Sequence, residues 1–427
     1  MSERMKILFI VPGAGDSFYC GNCFRDNLQA SAMRKAGHDV IVMPLYLPLK
    51  HESFLANTPL FFPATTYYTA QKFFGNKKMP KWLSRFTGSN FILNIASSSS
   101  GTTSAKGMES MTLSMITGND PAFTDQVNSL IDWIENKENP DIIHLSSSLL
   151  IGIAKILKQR FSTPIVCSVQ DEEVWIDSMD KKYANMAWEG IAENVRYVDK
   201  FITSSEFYKN IACEKVPDIT NIEVIYPGVD CQKYASPDYP EYPVIGFFYR
   251  MNRENGLDIL AEAFVKLKKQ DMIPNLRLKI GGGYTGKDKK FLKKVKKILT
   301  PYKEYVEMCD DYSLDDHARF YSSITVISTP ITFEEGIGLY LCEAFAAGRP
   351  AVVPATGSFP EIAGKAGILY YPNNSESLSN ALLELLADKH LYTQSVKSAE
   401  ELSSTRYSNQ ILAEKLIQLY SNIKMNT

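Results

Sequence analysis

Glu335 and Glu343 are separated by seven residues in the stretch TFEEGIGLYLCEAFAAGRPAVVP, residues 332–354. Glu335 belongs to a loop that leaves the apolar run ITVIST, and Glu343 lies inside LYLCEAFAAG, a helical pattern stopped by Gly348. The amides of Gly336, Ile337 and Gly338 therefore stand at a helix N-terminus. Unpaired N–H groups and the helix dipole suit such a place to an anion, and a diphosphate fits it. The two glycines let a ligand approach the main chain closely. Glu343 is about one turn into the helix, where its carboxylate can accept two hydrogen bonds from a vicinal diol such as that of a ribose. Burying that carboxylate is costly unless it is satisfied, so a ligand and a local protein partner are both open readings.

A scaffold of two α/β halves positions these groups. KILFIV (6–11), DVIVMP (39–44), DIIHL (141–145), PIVCSV (164–169), DKFITS (199–204) and IEVIYP (222–227) are short apolar runs separated by amphipathic stretches. Buried parallel strands covered by helices on both faces have this pattern. The stretch QKYASPDYPEYP (232–243) breaks the rhythm as a linker, with a hinge near 236–242. Alternation then restarts with PVIGFFY, NLRLKI, YVEMC, ITVIST, PAVVP and GILYY. The expectation is two doubly wound, Rossmann-like parallel-sheet domains whose strand carboxyl ends meet a cleft. The first spans 1–235 and holds an insertion over 50–125, the second spans 236–405, and an amphipathic helix over 406–427 follows with no strand after it.

Composition excludes several classes. Lysine plus arginine number 46 against 48 acidic residues, so no global charge imbalance points to nucleic acid or a membrane surface. Seven cysteines, an odd count and most of them in apolar contexts, predict reduced thiols and not a disulfide framework. The N-terminal apolar run is too short for a signal peptide, and no window reaches the length of a membrane span. The expected location is the cytoplasm, with peripheral attachment to the inner face of the membrane as an open alternative.

The two glutamates, EGIGL between them and EAFAAGRPAVVPATGSFPEI after them, closely resemble the donor-site signature of family-four glycosyltransferases of the GT-B fold. The resemblance extends through IYPGVD (225–230), FFYRMNRENGLDILAEAF (247–264), LRLKIGGG (276–283), GSFPEIAGKAGILYYPNN (357–374) and RYSNQILAEKLIQLY, which resembles the family's terminal helix and so implies that the helix over 406–427 crosses back to the first domain. The first half fits more loosely, through ILFIVPGAG, AMRKAGHDV and TSSE. It implies retaining transfer of a sugar from a UDP- or GDP-type nucleotide-sugar to a hydroxyl acceptor such as a glycan or glycolipid. By position Glu343 would hold the ribose, Glu335 the donor sugar, the Gly336–Leu339 amides the diphosphate, and Arg250 the leaving phosphates. Neither a cofactor nor a metal is expected, and no Asp-x-Asp is present to hold one. The sequence departs from the family at Asn255, where a lysine is expected, and at Gln170, where a histidine is expected. Arg253 can supply the missing charge. Gln170 and Asp171, at a strand's carboxyl end, are candidates for contact with a sugar or an acceptor hydroxyl, and Glu172 and Glu173 follow them. These departures leave open a second reading, a catalytically weakened nucleotide-sugar-binding protein of the same fold.

Other motifs compete. GAGDSF (13–18) lacks the third glycine of a dinucleotide fingerprint, so its loop bends close to the donor diphosphate or the acceptor, and Gly13 and Gly15 join the donor-binding candidates. GGGYTG (281–286) does match Gly-x-Gly-x-x-Gly, with Glu307 and Asp310 downstream; this supports an NAD-dependent oxidoreductase as a further alternative, and Asp310 joins the donor-binding candidates. CGNC (20–23) is either redox-active or simple packing at a helix start. KDKKFLKKVKKIL (287–299) carries seven lysines opposite an apolar stripe, a solvated face or an attraction to an anionic membrane. His144 and His317 have no partner visible in sequence.

Overall fold

A computed structural model of the chain describes residues 3–12, 21–45, 108–137, 139–235, 239–309 and 316–426. Gly13, Gly15, Asp310, Cys20 and most of the expected insertion lie outside the described residues. By internal contacts the chain divides into one unit of residues 1–225 with 413–427 and a second of 226–412. The division falls ahead of the linker expected at 236–242, because Tyr234 is buried in the second unit.

The first unit holds β1 (Lys6–Val11), β2 (Asp39–Pro44), β3 (Ile142–Leu145), β4 (Ile165–Ser168), β5 (Lys200–Thr203) and β6 (Ile222–Val224). They form one parallel sheet in the order β2-β1-β3-β4-β5-β6. The second holds β7 (Val244–Phe248), β8 (Arg277–Gly281), β9 (Val306–Cys309), β10 (Val326–Ile327), β11 (Ala351–Pro354) and β12 (Gly367–Tyr370), ordered β12-β11-β10-β7-β8-β9 and again parallel. The runs ILFIV in β1 and VIGFF in β7 are apolar throughout because helices cover both faces. The helix Leu257–Gln270, for example, buries Leu257, Leu260, Ala261, Phe264 and Leu267 at helical spacing. Burying each of the larger of these side chains stabilises the unit by roughly 1.5–3 kcal/mol.

Winding reverses beside β1 and β3 in the first unit and beside β7 and β10 in the second. The chain's loops part at such switch points and leave a crevice at the strand carboxyl ends. In the second unit, Tyr249 and Arg250 follow β7, and the FEEGIG loop follows β10. In the first, Ser146 follows β3 and Gln170 follows β4. The candidate residues therefore emerge where this architecture places ligands.

Candidate active site

The second unit carries the glutamate pair. Glu335 is buried, at 5% exposure. Its Oε1 accepts from the amides of Ile337 (3.2 Å) and Gly338 (3.3 Å), and its Oε2 from the Tyr249 hydroxyl (3.4 Å). Burial pushes this carboxyl above its ordinary range, against the pull of those three donors. The side chain thus sits on the amide nest ahead of the helix Leu339–Ala346. Gly338 enters that helix at φ +59, in the left-handed region that favours glycine. Gly357 presses the next loop onto the same turn, since a Cβ there would meet Glu335 N and O at 2.7 Å.

Glu343 is 2% exposed. Its Oε1 accepts from the Tyr234 hydroxyl (2.7 Å) and lies 3.1 Å from His317 Nδ1, and its Oε2 accepts from the Tyr321 hydroxyl (2.9 Å). Burial raises this carboxyl, but attraction to His317 and the three hydrogen bonds outweigh it and hold Glu343 below its ordinary value. The cost of placing a glutamate in an apolar helix is met within the protein. His317 thereby has its partner, and it also packs edge-on against Phe248 at 4.6 Å. Tyr234, His317 and Tyr321 were not legible as site residues: they lie 109, 26 and 22 positions from Glu343.

Arg250 is braced by the loop after β8. Asp288 Oδ2 accepts from Arg250 Nε (3.3 Å) and Nη2 (3.1 Å), and from the amide and hydroxyl of Thr285 (2.8 and 2.7 Å). Burial raises Asp288, yet the bonds from Thr285 and Arg250 outweigh it and hold it below the usual carboxylate range. Asn255, where the family pattern has lysine, is buried and donates through Nδ2 to the Arg250 carbonyl (2.8 Å). It shapes the Arg250 turn from inside. Arg253 is exposed, with its guanidinium 5.8 Å from the Phe291 ring. The GGGYTG glycines have a backbone reason to exist, because a Cβ on Gly282 (φ +115) would lie 2.1 Å from the Tyr249 carbonyl oxygen.

The first unit carries its own polar cluster. Gln170 Oε1 accepts from Arg25 Nη1 (2.8 Å) and the Ser204 hydroxyl (3.1 Å), while its Nε2 donates to Asp171 Oδ2 (3.2 Å). Arg25 also pairs with Asp26 Oδ1 at 2.7 Å, and both are buried. Asp171 is half-buried and holds φ +57, an uncommon conformation for a non-glycine residue. Glu172, next in the chain, is turned into the protein. It is buried, and its Oε1 accepts from the Ser147 hydroxyl and the Ser148 amide, both at 3.0 Å. His144 is fully buried between Tyr420 (2.7 Å) and Ser168 (2.8 Å), and burial pushes it down to about 3, so it stays neutral. Among the described residues, no group of three His, Cys, Asp or Glu side chains is placed to hold a metal ion.

Comparison with known proteins bears on this arrangement. Residues 242–388 match the family model for glycosyl transferases group 1, and residues 116–233 match that for glycosyltransferase family 4. A D-inositol 3-phosphate glycosyltransferase of Mycobacterium sp. (strain JLS) is 23% identical over 237 residues, covering 52% of each chain. The chain spans about half the length of the curated relatives it matches. Two solved structures share the fold across nearly the whole chain. The sucrose-phosphate synthase of Thermosynechococcus elongatus has a TM-score of 0.69 at 17% identity, covering 99% of this chain and 100% of that one. Anabaena HepE, in complex with UDP and glucose, has a TM-score of 0.65 at 14% identity, covering 98% and 100%. Family models over more than half its length, together with two doubly wound parallel sheets, make this chain a member of the family-four, group 1 glycosyltransferases with the GT-B fold.

Proposed function

We propose that this glycosyltransferase moves a hexosyl group from a UDP- or GDP-type nucleotide-sugar to a hydroxyl acceptor such as a glycan or glycolipid, with retention and without a bound metal. The observation that carries the reading is the amide nest at 337–338, flanked by a buried Glu335 and following the switch point from which Arg250 also emerges. Breaking the sugar–diphosphate bond develops negative charge on the leaving group, and preoriented amides and a fixed guanidinium stabilise that charge. In this reading the Gly336–Leu339 amides and Arg250 take the diphosphate, Glu335 takes the donor sugar, and Glu343 offers its remaining acceptor capacity to the ribose. Gln170 and Asp171 serve the acceptor side, and Arg253 and Asn255 the donor side, Asn255 through the turn it shapes. The solved structures of Anabaena HepE with UDP-glucose and of pneumococcal GtfA with UDP and GlcNAc support a nucleotide-sugar as the donor.

A panel of nucleotide diphosphates and their sugars tests this by thermal shift. A ligand present at about a hundredfold over its dissociation constant stabilises the fold by about 2.7 kcal/mol. The expected result is a raised melting temperature with UDP or GDP and none with a nicotinamide dinucleotide; the opposite pattern would restore the oxidoreductase alternative. The weakened-binder alternative rests on the neutral Asn255 at a position where the family carries a charge. Slow release of free sugar from the preferred nucleotide-sugar supports an enzyme, whereas binding without any turnover supports the binder.

Asp288 gives a finer check. Asp288→Asn removes the charge that orients the Arg250 guanidinium. Charge-assisted hydrogen bonds are worth about 1.5–3 kcal/mol, so the donor KM should rise roughly tenfold or more. Steady-state kinetics with an unchanged KM would show that Arg250 needs no such brace.

A further inference from the structure

The lysine-rich helix Lys289–Leu299 carries none of the residues assigned above to the donor or the acceptor. Leu292, Val295 and Leu299 are buried on one side. At 100° per residue, Lys289, Lys290, Lys293, Lys294, Lys296 and Lys297 fall within an arc of about 160° on the other side. All six, and Lys287 just before them, are exposed. Among the described residues none of the seven forms an ion pair, whereas lysines elsewhere do: Lys158 with Asp199 at 2.7 Å, Lys279 with Glu307 at 3.1 Å, Lys424 with Asp141 at 2.8 Å. The adjacent Asp288 is engaged by Arg250. In a chain of net charge −2, this helix concentrates positive charge along about 16 Å. Neighbouring charges lie within a Debye length of about 8 Å at physiological ionic strength, so they act as one field.

We propose that this face docks the protein against an anionic lipid bilayer. The seven cations are all lysines, compact hydrated charges without the planar fork that reads a particular phosphate or carboxylate, so they suit a diffuse surface of headgroups. Single-stranded nucleic acid would call for exposed aromatic platforms. The helix's one aromatic, Phe291, is half-buried near the Arg253 guanidinium. No large apolar side chain of the helix is exposed, so contact is electrostatic and does not penetrate the acyl region. No described helix is long and apolar enough to cross a membrane.

The test is co-sedimentation of the full chain with phosphatidylcholine vesicles, with and without phosphatidylglycerol. Binding is expected only to the anionic vesicles and is expected to be lost on adding salt. Each lysine near such a surface contributes roughly a fivefold factor, so the combined Lys290→Gln, Lys293→Gln, Lys294→Gln and Lys297→Gln variant should bind roughly six-hundredfold more weakly. A variant of equal charge loss elsewhere, with Lys181, Lys182, Lys397 and Lys415 each changed to Gln, should bind as wild type, as should any variant that leaves the stripe intact. Release of free sugar from the donor should be unchanged in both. Failure of the wild type to bind anionic vesicles, equal binding to neutral vesicles, equal loss in both variants, or tighter binding to an anionic polysaccharide or duplex DNA than to vesicles overturns the proposal. The vesicle experiment reads no turnover, so its failure leaves the donor-site reading standing.

Discussion

Glu335→Gln is expected to lower sugar transfer by about two to four orders of magnitude while leaving the melting temperature nearly unchanged. The glutamine is isosteric and its side-chain oxygen can still accept from Ile337 and Gly338, so the turn survives; the charge is lost, and the Tyr249 hydroxyl must rotate to accept from the new amide. pH gives a second signature. Burial raises Glu335, so the wild-type rate should fall on acidification at a pH above the ordinary glutamate range, as the carboxylate gains its proton. The residual activity of the variant should lack that limb. Full activity in the variant would remove Glu335 from the chemistry.

Glu343→Ala should act on stability as well as on nucleotide affinity. It leaves two buried tyrosine hydroxyls and the His317 ring without their acceptor. Stranding buried donors and breaking a buried pair costs about 3–5 kcal/mol, or roughly 10 °C in a unit of this size. Glu343→Gln keeps one oxygen and should cost less. The sign of the pH dependence follows from the lowered value of Glu343 in the folded protein. Its ionised form is favoured by folding, so the stabilisation is present above the unfolded-state value and is lost as pH falls through the lower folded value. Thermal melts of wild type toward acid should show that loss, and melts of the alanine variant should lack it. A variant melting like wild type at neutral pH would show that the cage carries no net stability.

The alternation of apolar runs with amphipathic stretches made both sheets legible, because strands covered by helices on two faces are predominantly apolar. The helix Leu339–Ala346 was legible for the same kind of reason, since Gly338 and Gly348 both hold positive φ at its ends. What surrounds the glutamates was not. The partners of Glu343 come from the end of a short helix in a stretch that looks like a linker and from a helix near residue 320; pairing at such separations leaves no periodic mark. Asp288 was hidden inside a lysine run, and its role depends on the turn that brings Thr285 onto the same oxygen. His144 shows the limit most plainly, for one of its partners, Tyr420, is 276 residues away.

The seat of the Glu335 carboxylate has one more implication. Each main-chain nitrogen at 337 and 338 carries a single hydrogen, and both hydrogens are already spoken for by that side chain. An incoming diphosphate that claims them must evict the resident acid. In the proposed site, loading the donor and freeing that carboxylate to meet the donor sugar would then be one event.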